Sequence, residues 1–163
     1  MVEKVQSTDG TTIAYETAGS GPPLILVGGA LNTRKSPGGL VPLLVEDFTV
    51  VTYDRRGRGE STDTPPYAVE REVEDFSALV AAVGGSAGVY GHSSGGILAL
   101  EAAAAGVGIS RLAAYERPIS RPREETCSGR FLLTRCRRWW TRDIRIWRWR
   151  NSSGTRVPTS MRE

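Results

Sequence analysis

Gly91-His92-Ser93-Ser94-Gly95 fits G-x-S-x-G, a spacing that can make a serine hydroxyl a nucleophile. The pattern describes a sharp turn from strand to helix. Side chains two before and two after the nucleophile would clash, which accounts for Gly91 and Gly95. The serine takes a strained backbone conformation that lifts its oxygen above the sheet. From there it can attack a carbonyl carbon, while the Ser94 backbone N–H and the positive end of the following helix stabilise the resulting oxyanion. Were Ser94 the nucleophile, His92 would fall at the tight position two residues earlier, so Ser93 is the candidate catalytic residue. A Gly/Ser-rich turn of this kind also serves as a plain connection or a phosphate cradle. The strand before it and the helix after it favour the nucleophile.

Acyl transfer through a serine also needs an imidazole to carry its proton and a carboxylate to orient that imidazole. His92 is the only histidine. Neighbouring side chains diverge in such a turn, so His92 reads as a packing residue behind the nucleophile rather than as its base. A second oxyanion donor is expected just past the strand that ends at Val27. There the backbone N–H of Ala30 in Gly28-Gly29-Ala30 is the candidate, although a simple turn fits those residues equally well. The expectation is a positioned but unactivated Ser93.

The elements that must hold this turn are legible from periodicity and breakers. Val2–Ser7 and Thr11–Thr17 flank Thr8-Asp9-Gly10, a hairpin signal because glycine takes positive φ cheaply. Leu24–Val27 and Phe48–Tyr53 are apolar-rich runs suited to strands covered on both faces. Leu40–Leu44 predicts a brief helix. Val69 to Val83 predicts an amphipathic helix, with Val69, Val73, Phe76, Val80 and Val83 on one face and acids gathered toward its N-terminus. Ala87–Tyr90 predicts a strand, Gly96–Ala105 an Ala-rich helix and Ile109–Tyr115 a further strand. That order implies an α/β domain: an opening antiparallel hairpin, then parallel strands joined by right-handed crossovers.

Composition changes abruptly at Glu116. Residues 1–116 carry eight Lys/Arg and fourteen Asp/Glu, a net of −6, whereas 117–163 carry thirteen Arg and four acids, a net of +9. All four tryptophans (Trp139, Trp140, Trp147, Trp149) and both cysteines (Cys127, Cys136) lie in the second segment. The basic pI therefore belongs to the tail alone, for which no fold is predicted. Arginine with interleaved tryptophan is the composition of single-strand nucleic-acid binders, which gives the alternative reading of an interaction protein acting through the tail. The tail has no ordered spacing, so nonspecific polyanion binding is expected rather than a specific nucleic-acid or membrane partner. The cysteine spacing matches no common zinc site, and neither metal nor cofactor is expected. Asp143, the tail's only aspartate, sits in no recognisable motif. The polar N-terminus and the lack of a long apolar run predict a cytoplasmic protein.

Taken together, these residues resemble the α/β-hydrolase family, in particular its single-domain esterase and haloperoxidase-like members. Gly28-Gly29 lies where many members carry His-Gly. Tyr53-Asp54-Arg55-Arg56-Gly57-Arg58-Gly59-Glu60-Ser61 is similar to the family's Y-D-x-R-G-x-G-x-S loop. Gly91–Gly95 is similar to its nucleophile elbow, and Tyr115-Glu116 to the start of Y-E-P-P. The resemblance covers about 110 residues and implies a serine hydrolase scaffold for small ester-like substrates. It also implies that the triad acid and histidine follow later strands, so Asp54 reads as the residue that holds its Arg/Gly loop together. Glu116-Arg117-Pro118 stands where Glu-Pro-Pro is expected. With the arginine-rich, lysine-free tail, this suggests a frameshift in a GC-rich gene and a truncated, impaired enzyme.

Overall fold

A computed structural model describes residues 1–116; the expectations for 117–163, including Cys127, Cys136, Asp143 and the tryptophans, lie outside the described residues. Within the described residues six strands form one sheet: β1 (Glu3–Gln6), β2 (Thr12–Ala18), β3 (Pro23–Val27), β4 (Thr49–Tyr53), β5 (Ala87–His92) and β6 (Ile109–Tyr115), in the spatial order β1-β2-β4-β3-β5-β6. β1 pairs antiparallel with β2, and β2 with β4. The β4–β3, β3–β5 and β5–β6 pairs are parallel. The fold is the expected α/β arrangement, with the hairpin at one edge. Its turn closes as the residue types require, with Gly10 at φ 84° and the Thr11 N–H donating to Asp9 Oδ1 at 2.9 Å.

Among the described residues three helices make the connections: α1 (Val41–Leu44), α2 (Val69–Ala82) and α3 (Ser94–Ala104). α2 and α3 cover one sheet face. Ile25 and Val27, Val51 and Tyr53, Val89 and Leu112 meet Phe76 and Leu79 of α2 and Leu98, Ala99 and Ala102 of α3 in a single buried cluster. Small alanines on α3 let it lie close to the strands, and Ala99 and Ala102 are fully buried. Because side chains alternate along a strand, Tyr90 and His92 of β5 project to the opposite face, where the segment around α1 lies.

Two elements differ instructively from their sequence patterns. α3 starts at Ser94 rather than Gly96, because the turn passes directly into helix. α2 buries Glu72 and Asp75 beside Phe76, while apolar Val69 stays 45% exposed. Its acids therefore do more than balance the helix dipole. They serve as counterions for arginines beneath the site.

Candidate active site

Three loops meet at the C-terminal edge of the parallel strands, where α/β sheets bind ligands. Gly28-Gly29-Ala30 follows β3, Asp54–Ser61 follows β4 and the Ser93 turn follows β5. Ser93 has φ 53° and ψ −124°, a region that non-glycine residues rarely occupy. Holding a residue there costs on the order of 1–3 kcal/mol, so the surroundings must enforce it. They do so at several points. The Ser93 N–H donates to Tyr115 O of β6 at 2.9 Å, and Ser93 O accepts from the Gly96 N–H at 2.9 Å. A Cβ at Gly91 would lie 2.6 Å from Gly96 Cα and 2.7 Å from Gly95 O, while one at Gly95 would collide with the carbonyl oxygens of Val27 and Gly28. The crowding at Gly95 thus comes from β3, not from Gly91.

The Ser93 hydroxyl is not spent on capping α3. Its neighbour is employed differently: Ser94 Oγ accepts a hydrogen bond from Arg55 Nη1 at 3.1 Å. As the first residue of α3, Ser94 has a backbone N–H without an intrahelical acceptor. A Cβ on Gly29 would stand 3.3 Å from Ser93 Cβ, so the β3 loop passes directly beside the serine. Ala30, next in that loop, is exposed. The turn is closed by an Asn32 N–H to Gly29 O bond of 3.2 Å.

His92, expected as a packing residue behind the nucleophile, packs against Tyr115 of β6. Its side chain is 38% exposed, its ring stacks on Tyr115 with centroids 6.0 Å apart, and Nε2 lies 3.6 Å from Glu116 Oε2. With Tyr90, Tyr115 and the segment from Asn32 to Leu40 it lines a cavity of about 370 Å³ on the sheet face away from α3.

Beneath the site, arginine–carboxylate pairs that hydropathy does not reveal lock the β4 loop. Arg55 grips Glu72 through Nε and Nη2 at 2.5 and 2.6 Å. Arg56 grips Asp75 through two bonds of 2.7 Å and reaches Asp9 at 2.9 Å. Burial alone would raise the Glu72 carboxyl, but the hydrogen bonds from Arg55 outweigh it and hold the group below the ordinary range. Asp54 is fully buried. It accepts the Arg34 N–H at 2.7 Å and the Glu60 N–H at 3.0 Å, and it pairs with the Arg34 guanidinium. It is therefore the brace of its loop, and Gly59 is glycine because φ is 52° and a Cβ would strike the Asp54 carboxylate. The signal available in sequence was the pairing of two adjacent arginines with acids three apart on α2. Among the described residues no cluster of three or more His, Cys, Asp or Glu side chains could hold a metal.

The strand order, the elbow and the β4 loop agree with a comparison of whole sequences. The pattern of the alpha/beta hydrolase family matches residues 24–162. This chain belongs to the alpha/beta hydrolase family.

The chain is 57% identical to a crystallised alpha/beta hydrolase from Sphaerobacter thermophilus, with a TM-score of 0.72 over 73% of this chain and 46% of that one. It is 28% identical to the esterase RhEst1 from a Rhodococcus species, with a TM-score of 0.63 over 69% of this chain and 44% of the esterase. A soluble epoxide hydrolase of a Corynebacterium species is 36% identical over 94 residues, 56% of this chain and 32% of that protein. The chain spans less than half the length of each of these relatives. No helix among the described residues is long and apolar enough to cross a membrane.

Proposed function

We propose that residues 1–116 form the nucleophile-bearing part of a serine hydrolase for small esters or related acyl compounds, with Ser93 as nucleophile. Ser93 Oγ attacks the carbonyl carbon and surrenders its proton to a base. The oxyanion then faces the backbone N–H groups of Ser94 and Ala30, and collapse expels the alcohol, which takes up the proton. Water repeats the sequence on the acyl-enzyme. The single observation that carries this reading is the positive φ of Ser93 with its hydroxyl left uncapped at the start of α3.

A relative named as an epoxide hydrolase raises a second substrate class. Chemistry argues against it here. A serine oxygen that opened an epoxide would be left as an ether, with no carbonyl for water to attack, so turnover would stop after one event. An acyl-serine, by contrast, is hydrolysed readily. The acyl class is therefore the better match to Ser93.

Both acyl steps need an imidazole, and the chain's one imidazole belongs to His92, whose ring is engaged with Tyr115 and faces Glu116. We read the 163-residue chain as a catalytically impaired member of its family, since loss of a triad member lowers turnover by about 10⁴ to 10⁶. Fluorophosphonate labelling tests the assignment. Slow labelling confined to the Ser93 hydroxyl, and lost in Ser93→Ala, is expected. A label on Ser94, or labelling of Ser93 as fast as in active serine hydrolases, contradicts it. The composition change at Glu116 is read as a frame slip. Sequencing the locus tests this: a shifted frame there must encode further strands and a second histidine.

A further inference from the structure

Four arginines crowd the loops around Ser93, and three of them are neutralised. Arg34 pairs with Asp54 and Glu60, Arg55 with Glu72, and Arg56 with Asp75 and Asp9. Arg58 is the exception: among the described residues it has no carboxylate partner, and its guanidinium donates only to Gly29 O at 3.4 Å. That bond is longer than an effective N–H to O hydrogen bond, and Gly29 O already accepts the Asn32 N–H. Arg58 is thus not needed to close the β3 turn.

Its placement is nevertheless fixed. Gly57 and Gly59, at φ 70° and 52°, flank it in left-handed conformations. The Arg58 N–H donates to Arg55 O at 3.1 Å, and Arg58 O accepts the Ser61 N–H at 2.9 Å. Ser61 in turn donates to Asp54 O at 2.6 Å. A half-buried cation is therefore delivered by a rigid turn to Gly29, the residue whose Cβ position lies against Ser93. Through that single residue the guanidinium lies within about 11 Å of Ser93 Cβ. One of its five N–H donors is committed, which leaves enough to grip a carboxylate with two parallel bonds.

We propose that Arg58 is an anion-recognition residue of the site and selects acyl compounds that carry a second acidic group, a carboxylate, beyond the bond to be broken. The inference rests on Ser93 as the acyl acceptor. The anion would be held at the opposite end of a small substrate from the reacting carbonyl.

Boronic acids test this without requiring turnover, because the Ser93 oxygen bonds to their trigonal boron while the serine proton leaves with a boron hydroxyl as water. Calorimetry with the full 163-residue chain compares phenylboronic acid, 4-carboxyphenylboronic acid and 4-(aminomethyl)phenylboronic acid. The carboxylated probe is expected to bind about ten-fold tighter than the neutral one, as a charge pair at this depth allows. The cationic probe is expected to bind more weakly than the neutral one. In R58Q the ratio between carboxylated and neutral probes falls to about one, and reading a ratio within one variant cancels general losses. Equal binding of the charged and neutral probes to the unaltered chain, or an R58Q ratio like that of the unaltered chain, overturns the proposal alone. If neutral phenylboronic acid binds Ser93→Ala as it binds the unaltered chain, the Ser93 reading falls and this inference falls with it. The cationic probe on the unaltered chain decides the matter even if R58Q does not fold.

Discussion

Arg55 links Glu72 to Ser94: two of its guanidinium nitrogens clamp the carboxylate of α2, and the third donates to the hydroxyl beside the candidate nucleophile. The elbow is therefore supported from below by a buried ion pair, with side-chain exposures of only 8% for Arg55 and 4% for Glu72. This relationship distinguishes the two adjacent serines: Ser94 is held by Arg55, whereas the Ser93 hydroxyl makes no capping bond.

Removing the carboxylate should be costly. Glu72→Gln leaves a buried guanidinium without its counterion and is expected to destabilise the fold by about 3 kcal/mol. Ser94→Ala removes one neutral acceptor and should cost about 1 kcal/mol. Urea unfolding followed by circular dichroism measures both. Equal effects would mean that the pair does not support the turn.

Two glycines with similar backbone should respond differently to a methyl group. Gly10 and Gly59 both have positive φ, but a Cβ at Gly10 meets nothing within 4 Å, whereas at Gly59 it strikes Asp54. Gly10→Ala should cost about 1–2 kcal/mol from the backbone alone. Gly59→Ala adds the collision and should cost about 3 kcal/mol or more. Thermal unfolding of the two variants provides the comparison.

Acid should unfold the domain through its paired carboxylates. Asp9 is held down to about 2, first by the Thr11 backbone N–H, and Glu72 is also lowered. A carboxylate whose folded pKa is depressed contributes its stability in full above its ordinary value near 4. That contribution is lost as pH falls through the folded value. The unfolding midpoint should thus hold steady from pH 7 to about 5 and drop between about 4 and 2. Glu72→Gln should flatten that drop, and an unchanged acid limb would show that Glu72 is not held below its ordinary range.

His92 faces Tyr115 and Glu116, across the sheet from the helices that bury the core. His92→Ala is accordingly expected to leave the slow fluorophosphonate labelling of Ser93 where it was. Loss of that labelling, with the fold intact by circular dichroism, would make this ring the base.

Much of this architecture was legible in the sequence because its elements announce themselves locally. Leu24–Val27 is apolar at each position, as a doubly covered strand requires, and it forms the heart of β3. Val69 to Val83 has a helical period that falls within a residue of the observed α2. Gly91 and Gly95 flag a turn that tolerates no Cβ. Long-range polar partners were not legible in the same way. Nothing local says that Glu72 and Asp75 turn inward, since hydropathy assigns such residues to water and only Arg55 and Arg56, from another loop, reverse that preference. His92 and Tyr115 stack because β5 and β6 lie side by side in register, a contact that exists only once the sheet has formed.

Steady-state hydrolysis of p-nitrophenyl acetate by the pure 163-residue chain tests most directly the proposal that Ser93 is placed for attack but lacks an imidazole to take its proton. Serine hydrolases with a full triad turn over at about 10 s⁻¹, and loss of the base lowers this by at least about 10⁴-fold, so kcat should be at or below about 10⁻³ s⁻¹. A kcat of about 1 s⁻¹ or more that disappears in Ser93→Ala would contradict it.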